Sequence, residues 1–290
     1  MMKEINLSIP ATSANLGLGF DSIGVAVTKF LKIRAYENHE FKVEFLNPEL
    51  DILPPGEDNL VISTAKSIAR KYNKEMPPVR VEMDSEIPLA HGLGSSSSAI
   101  VAGIEVAAYF CDLDLSDHDK IMLGCDIEGH PDNIGPCITG GVFVGYYNQG
   151  ELYYHVLDDI DFSLVVSVPN YMINTNEARR ALPASYDRQT AVTQNAINNV
   201  MLFSLFNKEY VDMGRLMMKD QFHEIYRRPL IKEFDDIKET ALKNGAYATV
   251  ISGAGPSVMT LCSKENIPHI LKNLEKIENV VHEKLEIYKK

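Results

Sequence analysis

The sequence predicts an α+β protein built as two domains, residues 1–158 and 159–290. Three observations predict it. A chain of 290 residues is long enough for two ordinary domains. Strand-like and helix-like segments recur on both sides of the acidic stretch at 158–161. Beyond that stretch the elements run strand, helices, strand, strand, helix, strand, which is a pattern of one small sheet covered by helices.

In the first block, residues 5–9 alternate apolar and polar, and Pro10 ends that strand. Residues 11–21 are small, polar and glycine-spaced. They are expected as a loop that contacts something other than the core, because the stretch is long for a plain turn. Strands are expected over 23–28, 31–36 and 41–46. Pro54-Pro55-Gly56 forms a loop, and Asn59 precedes a helix over 60–72 that Pro77-Pro78 breaks. A strand at 79–85 leads to a glycine-serine stretch and an apolar helix at 99–110. Ser116 and Asp119 form a capping box for a helix reaching about Glu128. The run from Gly129 to Pro136 holds two prolines and two glycines and is expected as a polar turn. Residues 142–147 and 152–157 form a hairpin about Asn148-Gln149-Gly150.

In the second block a strand is expected at 163–168, then a short helix at 175–182 stopped by Pro183. Residues 187–219 are helical with a break near Lys208. A helix at 231–243 ends at Asn244-Gly245. Strands at 247–251 and 258–262 flank Ser252-Gly253-Ala254-Gly255-Pro256-Ser257, and a helix at 267–277 precedes a strand at 280–287. This order is the ferredoxin-like one, with extra helices in the first crossover.

The net charge is −12. A nucleic-acid groove would need a basic patch against that average, and Arg179-Arg180 and Arg227-Arg228 are isolated pairs. Cys111, Cys125, Cys137 and Cys262 form no C-x-x-C pair, which speaks against a zinc or dithiol site. No secretory signal and no run of 18 apolar residues is visible, so no membrane association is expected, and a reducing, cytoplasmic setting fits.

The stretch Gly92-Leu93-Gly94-Ser95-Ser96-Ser97-Ser98 lies between a strand and a helix. Glycines allow close approach of the backbone, and the serines add hydroxyls to the free N–H groups of a helix end. That is the composition of an anion site, with phosphate the usual anion. It is not a P-loop, since no lysine follows Gly94, and not a dinucleotide fingerprint, since position 97 is serine.

Three glycine-bearing loops, at 10–21, 88–99 and 252–257, stand at the beginning, middle and end of the chain. Together and in this order they resemble the signature motifs of the GHMP small-molecule kinases. Within that superfamily, Asn15 and Asp21, with Gly129-His130-Pro131-Asp132-Asn133, resemble the homoserine kinase family. The resemblance implies the GHMP kinase fold: an ATP-binding N-terminal domain like domain 2 of ribosomal protein S5, a ferredoxin-like C-terminal domain, and an active site between them. It implies ATP and Mg²⁺, L-homoserine as the substrate, O-phospho-L-homoserine as a product on the path to threonine, and a homodimer.

The same resemblance assigns residues. Pro88, Leu89, Ala90, His91 and the run from Gly92 through Leu93, Gly94, Ser95, Ser96 and Ser97 to Ser98 surround the nucleotide phosphates, with Ser96 the hydroxyl that meets Mg²⁺. Asp126 matches the acidic metal ligand, with Glu128 as the alternative. Asn59 approaches the nucleoside. Asn15 and Asp21 contact the substrate hydroxyl and ammonium, Arg179 and Arg227 clamp its carboxylate, and Thr175, His130, Asp132 and Asn133 line the same pocket, which Gly253 helps to close. Asp132, Asp21 or no dedicated base at all takes the hydroxyl proton. Leu18 stands where the family's first motif often has proline, a change that removes no polar group. His91 is either a phosphate contact or a bystander. A GHMP kinase for another small alcohol and a noncatalytic module of this fold are the other two readings. The first would not need both an ammonium partner and two arginines, and the second would be expected to lose the serines or the metal acid.

Overall fold

The computed structural model describes residues 2–290. The first block contributes β1 (Glu4–Asn15), β2 (Gly19–Glu37), β3 (Lys42–Phe45), α1 (Leu60–Lys71), β4 (Val79–Ser85), α2 (Ser95–Phe110), α3 (Asp117–Glu128), α4 (Pro131–Thr139), β5 (Val142–Asn148) and β6 (Glu151–Leu157). Its strands form one sheet in the order β3-β4-β2-β5-β6, with β1 paired to β2. Ile23, Val25, Val27, Leu31, Ile33 and Ala35 of β2 are buried at a spacing of two, so one face of that strand supports the core. Helix α2 has no polar stripe from Ile100 to Ala107, and it lies enclosed by α1, α3, α4 and β1.

Two expectations are corrected here. Residues 11–15 are not a loop but the end of β1, paired with β2, and only Leu16-Gly17-Leu18 turn the chain. Helix α4 packs closely on this strand pair: a Cβ at Gly24, opposite Ala14, would lie 1.7 Å from the carbonyl oxygen of Asp132. The run 131–136 is not a turn but the start of α4. Pro131 occupies the first helical position, where its missing N–H costs nothing. Pro136 lacks the N–H that would have bonded the Asp132 carbonyl, and that carbonyl lies against Gly24 instead.

The second block contributes β7 (Ser163–Pro169), α5 (Thr175–Arg180), α6 (Arg188–Phe206), α7 (Tyr210–Met217), α8 (Glu224–Arg227), α9 (Phe234–Lys243), β8 (Ala246–Ile251), β9 (Val258–Cys262), α10 (Ile267–Leu274) and β10 (Val280–Leu285). The antiparallel sheet has the order β10-β7-β9-β8, the ferredoxin-like arrangement, with α5 to α9 in the first crossover. Its one face packs Val165, Ile251 and Val258 under α9 and α10. Its other face, with Leu164, Val166, Val250 and Met259, shares a core with the first sheet through Met201, Leu205, Met213 and Met217. The last strand ends at Leu285 rather than 287. The tail then crosses back to the first sheet, where Tyr288 donates to the Ala26 carbonyl and accepts from Gly141 N–H.

Candidate active site in the cleft between the sheets

A cleft of about 530 Å³ opens where the N-terminal end of α2 meets the C-terminal block. Gly94 caps α2 with φ +71°. Ser98 is the first residue whose N–H bonds back into the helix, to Gly94 at 2.8 Å. The N–H groups of Ser95, Ser96 and Ser97 therefore have no partner among the described residues at the helix end, where the dipole favours an anion. Ser96 is exposed at the cleft wall. Ser97 Oγ donates to Glu128 at 2.9 Å. Leu89, Ala90, His91 and Gly92 also line the cleft. Pro88, Leu93 and Ser98 do not: Leu93 is wholly buried, and the Ser98 hydroxyl bonds Gly94 and Pro10 carbonyls. The His91 ring bonds the Leu89 carbonyl of its own loop at 2.7 Å.

The two candidate acids separate. They are two residues apart on α3, so they project about 200° apart around the helix. Asp126 faces away from the cleft, held by Lys71 and Tyr147 at 2.5 Å each. Asp126, expected as the acidic metal ligand with Glu128 as the alternative, thus does not line the cleft beside the glycine-serine loop, and its placement corrects that expectation. Glu128 is the carboxylate beside that loop, and burial pushes its pKa up.

At one end of the cleft are Leu31, Leu50, Ile52, Leu53 and Met83. Asn59 borders this end, but its side chain caps α1, accepting from Val61 N–H and donating to the Pro54 carbonyl, each at 3.0 Å. The other end is charged. Ligand atoms of Asp21, His130 and Asp132 lie within 4.8 Å of one another. His130 Nδ1 meets Asp132 Oδ1 at 2.5 Å. Burial opposes charge on His130, but this hydrogen bond and the carboxylates of Asp132, Asp21 and Glu128 outweigh it and lift its pKa to about 9. Asn133 and Thr175 line the same end. Arg179 reaches Asp21 at 3.4 Å from the exposed side.

Arg227 is 3% exposed, and it donates to the Gly253 carbonyl at 2.9 Å while its Nε has no hydrogen-bond partner among the described residues. Burial depresses its pKa. Asn15 donates to the same carbonyl at 3.0 Å and accepts the Asp21 N–H at 3.0 Å, so its amide bridges the first and last glycine loops. A Cβ at Gly92 would lie 2.3 Å from the Ser252 carbonyl, so glycine is what lets these loops meet.

Sequence reasoning missed several supporting residues. Phe20 lies under the Arg227 guanidinium at 5.2 Å and stacks on His223 at 5.1 Å. His223 Nε2 bonds the Gly17 carbonyl at 2.7 Å, and buried Asp220 accepts the His223 and Glu224 N–H groups. The four-residue spacing of His223 and Arg227 was the available signal, since it places both on one side of a helical turn. The apolar end carried no signal, because residues 48–53 have no regular period.

A serine-lined helix end, an adjacent half-buried acid and a charged pocket, set between these two sheets, define the class of small-molecule phosphotransferases called GHMP kinases. The family described as GHMP kinases N terminal domain matches residues 59–141, and GHMP kinases C terminal matches 202–279. A homoserine kinase of Staphylococcus haemolyticus is 42% identical over 98% of this chain and 95% of its own. One of Staphylococcus aureus is 44% identical over 94% and 91%. The crystal structure of homoserine kinase from Cytophaga hutchinsonii superimposes with a TM-score of 0.86 at 26% identity, covering 99% of this chain and 95% of that one. The chain belongs to the homoserine kinase family of the GHMP kinases, and it is a kinase.

Proposed function

We propose that the protein transfers the γ-phosphoryl group of ATP to the side-chain hydroxyl of L-homoserine, forming O-phospho-L-homoserine for threonine synthesis. The observation that carries this is the charged end of the cleft. Cationic Arg179, Arg227 and His130 stand beside anionic Asp21 and Asp132, facing the serine-lined helix end. An amino acid presents the complementary pair, a carboxylate and an ammonium. The names of the relatives support the same substrate.

The apolar end suits a nucleobase, and the free N–H groups of Ser95 to Ser97 suit the phosphates. The Glu128 carboxylate and the hydroxyls of Ser96 and Ser97 are hard oxygen donors, a set that fits Mg²⁺. When bound there, the ion would neutralise phosphate charge. Asp126 has no part in that set. The protein's own contribution is alignment: Arg179 and Arg227 grip the carboxylate, Asp21 the ammonium, and the hydroxyl is left toward the helix end. His130 is protonated at neutral pH, so it is not the base. Asp132 keeps one oxygen free of His130 and is the group that takes the hydroxyl proton. The setting is a cytoplasmic homodimer, as the family resemblance implies. No helix among the described residues is long and apolar enough to cross a membrane.

A coupled ADP-release assay over L-homoserine, L-threonine, mevalonate, galactose and shikimate tests this reading. Homoserine should be the preferred substrate with Mg-ATP alone. Preference for a sugar, mevalonate or shikimate rejects it, as does nucleotide binding without turnover.

A further inference from the structure

We propose that Thr12, which has no place on the cleft wall, is a positioning residue whose hydroxyl fixes the amide of Asn133 with its NH₂ group toward the reacting oxygens. Thr12 is wholly buried on β1, and its N–H bonds the Leu93 carbonyl of the phosphate loop at 3.2 Å. Its hydroxyl donates to Asn133 Oδ1 at 2.7 Å and also meets the buried Cys137 thiol. That bond consumes the acceptor end of the amide. Asn133 Nδ2 has no protein partner among the described residues, and the residue lines the cleft.

The choice of end matters chemically. The neighbours of Asn133 on this wall, Asp132 and Glu128, are acceptors when ionised. A phosphoryl group in transfer carries negative charge on its oxygens and needs donors. An amide turned the other way would present one more acceptor to those oxygens. The hydroxyl also couples two helix ends. A Cβ at Gly94 would lie 2.1 Å from Thr12 Oγ1 and 3.3 Å from Asn133 Oδ1, so the cap of α2, Thr12 and the first turn of α4 are packed in series. A shift of Thr12 would therefore move Asn133 relative to the phosphate loop.

The inference rests on the kinase reading above, and a mutant cycle separates the two. Thr12→Val keeps the shape and removes the donor. It should lower kcat about 10- to 100-fold, the cost of freeing one oriented hydrogen bond. The Kd for ATP should stay within about twofold, because valine keeps the shape of Thr12 against Gly94 and its backbone bond to Leu93. Thr12→Ser should recover most of kcat. Combined with Asn133→Ala, the valine variant should add little, since both remove the same group. Asn133→Asp keeps the acceptor for Thr12 but replaces the donor with a second acceptor. It should lose at least as much kcat as Asn133→Ala while melting like wild type, and it serves if Thr12→Val folds poorly. The proposal is overturned if Thr12→Val turns over within about twofold of wild type, if losses multiply in the double variant, if serine fails to rescue, or if Asn133→Asp is active. A wild type that uses another alcohol rejects homoserine as the substrate, yet the same cycle on that alcohol still decides the role of Thr12.

Discussion

At one end of the cleft Leu31, Leu50, Ile52, Leu53 and Met83 offer apolar surface, and at the other Asp21, His130, Asp132, Arg179 and Arg227 offer charges of both signs. The apolar end can supply affinity in proportion to the area it covers, but it discriminates weakly among flat bases. The charged end discriminates strongly, because a ligand that fails to pair a buried charge leaves it desolvated and alone. Arg227, buried and with no partner for Nε among the described residues, is the sharpest case. On the proposed reading, selectivity is expected where folding places groups that the protein alone does not satisfy.

The largest effect should come from the boundary between the two ends. Glu128→Gln should cut kcat about 1000-fold, the scale of losing one electrostatic stabiliser. Its melting temperature should hold or rise, since burial already disfavours that carboxylate. Asp126→Ala should stay within about threefold of wild type, because its partners Lys71 and Tyr147 lie outside the cleft. The reverse pattern in steady-state kinetics would return the metal acid to Asp126. At the apolar end, Leu53→Ala should raise the KM for ATP about 3- to 10-fold with kcat unchanged, the signature of lost uniform binding. A fall in kcat of equal size would show that this end positions the phosphates.

The smallest effect concerns stability at the charged end. His130 moves from 6.5 in the unfolded chain to about 9 in the fold. The folded protein then keeps a proton that the unfolded chain releases. This contribution is complete below the unfolded pKa and is lost as pH rises through the folded one. Melts of wild type should drop between pH 6.5 and 9, and those of His130→Gln should drop less, by about 5 °C. Parallel curves would show that the carboxylates around His130 do not hold its proton in place.

The periodic elements were legible in the sequence, and so were the residues of the three glycine loops. What could not be read depended on contacts distant in sequence. Residues 11–15 looked like a ligand loop because what they pack on is β2 and α4, the latter more than a hundred residues away. The run from Gly129 to Pro136 looked like a turn because prolines break most helices, whereas here one occupies the first position and the other frees a carbonyl that β2 covers. Helical period separates Asp126 from Glu128 but does not say which side holds the cleft. Thr12 and His223 act through Asn133, Gly17 and Phe20, and no local pattern marks such pairs.

The central claim, that the charged end recognises an amino acid, is tested most directly by one comparison. Kinetics of Arg227→Ala are measured on L-homoserine and on 3-aminopropan-1-ol, which lacks the carboxylate. Loss of one charged hydrogen bond should lower kcat/KM for homoserine about 10- to 150-fold. The analogue, already poor with wild type, should lose little more. Equal losses on both compounds would contradict the account and make Arg227 a prop for Gly253 and Phe20 rather than a carboxylate partner.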